Sequence, residues 1–206
     1  MIENLISFSV ASLALALSPG PDNIYVLTQS LVNGVKSGVA TTVGLVSGCI
    51  VHTTFLAFGL SAIITTSEVF LLIIKIFGSI YLFYLAYKVL ISDSKIDLSV
   101  TEVKNKKTYF ELFKQGVIMN LINPKVMIFF LAFFPVFLWK ETENTVVQFY
   151  ILGLTFMLIA FIVFTSIAFS AGYISKYLKN HSSVGGVFKW LQIIVFIGIA
   201  VYILLP

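Results

Sequence analysis

The chain has 206 residues, 59% of them apolar and only 11% charged, with a mean hydropathy of +1.02. A soluble domain carries roughly 25% charge, so this composition excludes one: the ionic groups are too few to cover a wetted surface, and most of the exterior must face lipid. The net charge of +4 rests on lysines scattered along the chain, which excludes a basic surface for nucleic acid.

A helix that spans a bilayer needs about 20 mostly apolar residues. The first such stretch, Leu5 to Val32, is interrupted by Ser18-Pro19-Gly20-Pro21-Asp22-Asn23. Its Leu13-Ala14-Leu15-Ala16 looks like the end of a secretory signal, but the first 17 residues hold no Lys or Arg, so a retained helix is expected. Five more windows follow, at 39–64, 69–91, 114–138, 146–172 and 187–205. In the first of these five, Gly44 and Gly48 form G-x-x-x-G, a close-packing signal expected to act within the bundle. Cys49, the sole cysteine, reads as a small packing residue. Runs such as Ile128-Phe129-Phe130-Leu131-Ala132-Phe133-Phe134 do not alternate as barrel strands would. The expected fold is all-α and polytopic: six transmembrane helices in a single transmembrane domain, 1–206.

The lysines predict the topology. If the 1–2, 3–4 and 5–6 connections are cytoplasmic, ten lysines lie inside: Lys36, then Lys88, Lys95, Lys104, Lys106, Lys107 and Lys114, then Lys176, Lys179 and Lys189. Only Lys140 then lies outside, and the positive-inside rule puts both termini outside an inner (plasma) membrane. The polar 3–4 connection, 92–113, is expected to be a flexible linker between a first unit, 1–91, and a second, 114–206.

Each unit begins with a helix that proline breaks. The first carries Pro19, Gly20 and Pro21; the fourth carries Asn120, Asn123, Pro124 and Lys125. Proline removes a backbone donor and glycine permits unusual dihedrals. Backbone freed at membrane depth must be buried in protein or line a wet cavity. Asp22 is the only acid well inside an apolar window, and ionisable groups there serve ion or substrate pathways. Aligning Pro21 with Pro124 sets Asp22 opposite Lys125. With three helices per unit the two copies run in opposite directions, the inverted-repeat plan of many secondary transporters.

Gly20, Pro21, Asp22, Asn23, Asn120, Asn123, Pro124 and Lys125 are accordingly the expected substrate site. Opposite charges suit a zwitterion, with Asp22 facing an ammonium and Lys125, or the open amides of a half-helix, facing a carboxylate. The competing reading is a plain kink capped by Asp22, or an ion pair that only locks the helices. Asp22 and His52 are candidates for proton coupling, His52 because imidazole titrates near neutrality. Lys75 and Tyr81 are accessory candidates, although Lys75 can equally snorkel to the membrane surface.

With these residues in place, the sequence resembles the LysE/RhtB family of amino-acid exporters along its whole length. Leu17-Ser18-Pro19-Gly20-Pro21-Asp22-Asn23 is similar to the family's P-G-P-(D/N) signature, and Gly34-x-x-x-Gly38 follows. Gly48 with Val51-His52 and Phe58-Gly59-Leu60, then Lys75-x-x-Gly78-x-x-Tyr81-Leu82, continue the likeness. Phe113-x-x-Gly116, Asn120-Leu121, Asn123-Pro124-Lys125 and Phe129-Phe130 resemble the opening of the second half. Cys49 departs where many relatives carry an acid, and Ala86 where a glycine often stands. The resemblance implies export of amino acids or close derivatives from the cytoplasm, driven by the proton-motive force. Its partners would be an amino-acid-like small molecule, protons and the lipid bilayer, with a homo-oligomer left open. There is no Walker motif, H-E-x-x-H, G-x-S-x-G or cysteine pair, which argues against a nucleotide-driven pump and an intramembrane enzyme. No cofactor and no metal are expected. A channel or a non-transporting subunit built on the same helices is the alternative.

Overall fold

A computed structural model describes residues 1–18, 20–64, 68–92, 107–140, 144–180 and 184–205. Pro19, Lys95, Lys104, Lys106, Glu141 and Glu143 lie outside the described residues. Among those described, the chain forms ten α-helices and no strand. In order they are α1 (Ile2–Leu17), α2 (Pro21–Asn33), α3 (Val35–Phe55), α4 (Ser61–Ile64) and α5 (Glu68–Ile91). The second half contributes α6 (Tyr109–Ile122), α7 (Pro124–Phe133), α8 (Thr145–Phe169), α9 (Ala171–Asn180) and α10 (Val184–Leu204). Four stretches are long and apolar enough to cross a bilayer: Val35–Leu60, Val69–Ile91, Thr145–Phe169 and Gly185–Leu204. The pairs α1/α2 and α6/α7 pass the same test when joined, bent by 57° and 55°; counted as one span each, they bring the total to six. The chain is a polytopic all-α membrane protein.

Local sequence sets the boundaries. Proline opens α2 and α7, where its missing N–H would have had no helical partner anyway. Gly34 alone joins α2 to α3 at φ +87°, a left-handed conformation that favours glycine. Thr108 caps α6: its hydroxyl accepts from Glu111 N–H while the Glu111 carboxylate accepts from Thr108 N–H, a reciprocal box that starts a helix. α6 therefore begins inside the stretch that hydropathy assigns to the linker. The 5–6 connection also holds a helix, α9, whose Tyr173 and Tyr177 rings stack 6.2 Å apart on an exposed face. Aromatic and lysine side chains on a short amphipathic helix suit the headgroup layer.

Lipid tails are as apolar as leucine, so tight helix pairs depend on small residues and polar contacts. α3 and α6 meet most extensively. A methyl group at Gly44 would lie 2.1 Å from the Phe113 carbonyl oxygen, and one at Gly116 would lie 2.5 Å from that of Thr41. The G-x-x-x-G pair thus serves the bundle interior. α8 crosses α3 with Gly153 against Thr53, and α5 lies on α7 with Gly78 against Ala132. α5 also packs along α10, where Ser79 Oγ donates to Ala200 O at 3.1 Å. α1 lies against α8 and α10. This packing leaves the breaks in α1/α2 and α6/α7 face to face.

Candidate functional site

α1 runs about 24 Å at 1.5 Å per residue before it stops, short of the roughly 30 Å of a hydrocarbon core, so its break falls within the span. Polar side chains hold the freed backbone there. Asn23 Nδ2 donates to Ala16 O at 2.8 Å, replacing a helical bond that the break removes. At the second break, Asn123 N–H donates to Asn120 O at 3.2 Å, and His52 Nε2 lies 3.3 Å from the same oxygen. A carbonyl can only accept, so this Nε2 carries the proton.

Asn123 links the two breaks. Its Oδ1 accepts from Lys125 N–H at 3.1 Å and caps α7, while its Nδ2 donates to both Asp22 carboxylate oxygens at 3.2 and 3.1 Å. The Lys125 side chain reaches back towards the first break. Its Nζ lies 3.4 Å from where a Cβ at Gly20 would stand and 5.0 Å from the centre of the Phe196 ring. Among the described residues no carboxylate oxygen comes within 4.0 Å of that ammonium. Asp22 and Lys125 border the same space with no direct salt-bridge contact between them.

That space is a cavity of about 40 Å³. Gly20, Pro21, Asp22, Asn23, Asn120, Asn123 and Lys125 form its polar part; Leu15, Ala16, Leu45, Val46, Val126, Phe156, Ala160 and Phe164 form an apolar wall. Cys49 lies between them, its Sγ 3.5 Å from Asn120 Nδ2. A water needs on the order of 10–15 Å³ on this measure, so the cavity holds about three waters and no amino acid. On the side of Lys88 and Ser92 a wider cleft of about 640 Å³ opens, with Tyr81, Lys88, Gln192 and Phe196 in its walls. Pro21, Asn123 and Lys125 line both spaces and form the partition between them.

Of the residues expected from sequence, Pro124 and Tyr81 face this wider cleft and not the cavity. His52 stands behind Asn120, its ring 5.4 Å from Phe130, and does not line the cavity. Lys75 is half-buried and borders neither space. Cys49 packs in the core, as its small size suggests, and also lines the cavity beside Asn120. The apolar wall went unseen in the sequence. Phe156, Ala160 and Phe164 do share one helix face by spacing, but in a bilayer an apolar face can point inward or to lipid. Ser18 carries no such signal either; it is fully buried beside the break, and among the described residues its Oγ has no hydrogen-bond partner. Among the described residues no three metal-ligating side chains converge, and the groups present suit the charged ends of an organic molecule.

Two proline-broken spans that enclose a doubly charged cavity, reached from one side by a cleft, make this a membrane translocator for small molecules. The chain matches the LysE type translocator family over residues 13–206 and belongs to it. It is similar to a leucine efflux protein from Enterobacter sp., with 30% identity over 97% of this chain and 94% of that protein. Leucine efflux proteins from Klebsiella pneumoniae and Salmonella typhimurium are 29% and 28% identical, each over 97% of this chain and 93% of theirs. No solved structure matches the chain.

Proposed function

We propose that this protein is a secondary carrier in the plasma membrane that exports an apolar amino acid from the cytoplasm, with leucine the first candidate. The observation that carries this reading is the composition of the cavity: one anion, one cation and an aliphatic-aromatic wall, enclosed together. Asp22 receives the α-ammonium. Lys125 receives the carboxylate, helped by the Asp22 and Asn23 amides, which precede the first α2 bond, Ile24 N–H to Gly20 O at 3.0 Å. Amides at a helix start favour an anion. The wall from Leu15 to Phe164 takes the side chain. The leucine efflux relatives support this choice of substrate class.

Residues 1–91 and 114–206 are read as inverted repeats joined by 92–113, and helix packing supports this. Exchanging the first three spans for the last three turns the α1–α8 contact into α6–α3, and maps α3–α8 and α5–α10 onto themselves; all are contacts. The lysine bias supports both termini outside, so the 640 Å³ cleft is cytoplasmic and this is an inward-facing, contracted state. Export then proceeds by rocking of the two units about the partition. A proton arriving from outside competes with the ammonium for Asp22 and couples its own influx to export. His52 is held on Asn120 O and orients the second break.

Proteoliposomes loaded with labelled leucine test this. Saturable counterflow, accelerated by an inward proton gradient, is the expected result. Flux that never saturates would point to a channel, and flux indifferent to pH gradient and potential would remove the coupling. Normal flux in both Asp22→Asn and Lys125→Met would overturn the assignment of the site.

A further inference from the structure

Building on the carrier reading, we propose that a phenylalanine plug on the terminal side of the cavity is the outer gate, with Phe8 as the residue that closes it. The layer starts at the cavity wall, where Phe156 packs on Phe129 and Phe130 at ring distances of 5.4 and 5.3 Å. Phe129 and Phe130 stack on Phe133 and Phe134 at 4.5 and 4.2 Å. Phe8 of α1 completes the plug against Phe133, Phe134 and Phe137 at 5.9, 5.0 and 5.3 Å. Apart from Phe156, none of these rings is more than 1% exposed. The cavity is therefore sealed towards the termini while a 640 Å³ cleft approaches it from the opposite face.

Four features mark the plug as movable. Phe8 comes from one broken helix and its partners from the other, so opening needs only that α1 part from the far end of α7. Phe134–Phe137 is a separate 3-10 turn, because Pro135 has no N–H to extend α7. Beside it lies an open groove of about 400 Å³ on the outer surface of the bundle, lined by Phe133, Phe137, Val10, Gly198 and Tyr202; among the described residues a methyl at Gly198 would meet nothing within 4 Å, so displaced rings have somewhere to go. One turn along α1 from Phe8, Ser12 is fully buried, and among the described residues its Oγ has no hydrogen-bond partner. Buried hydroxyls are ordinarily bonded, and a wet or substrate-filled path past Phe8 would give this one a partner.

Cys49 lines the cavity and is the only cysteine, so a membrane-impermeant thiol reagent reads the gate in the full-length chain. In vesicles that expose the terminal side, Phe8→Ala and Phe137→Ala are expected to speed labelling of Cys49 about tenfold or more, as loss of several ring contacts should. Leu13→Ala, on the exposed face of α1, should leave the rate unchanged. Gly198→Leu fills the receiving pocket and should slow both labelling and flux. Labelling from the cleft side serves as the check on folding, and Phe8→Leu carries the same expectation in milder form if Phe8→Ala does not assemble. Unaltered terminal-side labelling in folded Phe8 and Phe137 variants overturns the gate, as does equal acceleration by Leu13→Ala. Because labelling needs no substrate, absence of saturable counterflow would count against the carrier and leave the gate result standing.

Discussion

Burying a carboxylate and an ammonium is costly unless each is paired. Here Asn123 supplies two hydrogen bonds to Asp22, while Lys125 rests on the Phe196 ring and meets no carboxylate within 4.0 Å among the described residues. If the two charges served only to lock helices, neutralising both would restore function. The double variant Asp22→Asn, Lys125→Met is instead expected to export no better than either single variant; recovery in a counterflow assay would mean a structural ion pair. Hydrogen bonds to charged groups contribute about 1.5–3 kcal/mol, so Asn123→Ala should lower the initial efflux rate about tenfold to a hundredfold at equal protein. Gly20 offers a graded probe. Its Cβ would meet Lys125 Nζ at 3.4 Å, ordinary contact, so Gly20→Ala should transport nearly normally, whereas Gly20→Leu displaces the ammonium and should not. Equal rates for the two would remove Lys125 from the partition. Asp22, Asn123 and Lys125 were legible in the sequence because charge and proline are rare at membrane depth. Cys49 was not, since nothing in its own chemistry says which neighbour it meets.

The elements owe their ends to local chemistry and their contacts to small residues. Gly44→Ala would press a methyl into the Phe113 carbonyl, and such overpacking costs roughly 1–3 kcal/mol. Gly172→Ala, with nothing within 4 Å among the described residues, is the matched control. The first should lower the unfolding temperature in detergent by several degrees and the second should not; equal shifts would deny the close α3–α6 contact. Gly34→Ala should also destabilise, because φ +87° costs an L-residue about 1–2 kcal/mol. The six apolar windows were visible from hydropathy alone. The start of α6 and the whole of α9 were not: Thr108–Glu111 capping and an amphipathic face build helix from residues too polar to raise a hydropathy window.

Orientation and access belong to the scale of the molecule, where lysines and cavities bear on them. Tags cleavable by protease, placed at each terminus, are expected to be cut in intact cells before permeabilisation. Protection of both would invert the topology and turn the lysine-side cleft outward. The state described has a cleft on that side and a cavity of about 40 Å³, smaller than any amino acid, so a turnover must widen the cavity. Saturating leucine is therefore expected to change the rate at which Cys49 is labelled, and a rate untouched by any amino acid would argue that the cavity does not take one.

Composition and pattern by themselves determined that this chain lives in a bilayer as helices, that two of its spans are broken, and which charged residues lie at the breaks. These follow from the cost of placing polar groups in hydrocarbon, which is large and independent of neighbours. Only the tertiary structure decided that Asp22 is bound by Asn123 and not by Lys125, that His52 stands behind Asn120, and that Phe156, Ala160 and Phe164 face a cavity. Those outcomes depend on helix rotation. In a membrane lipid and protein interior are equally apolar, so a helix's own sequence carries little information about which side turns inward.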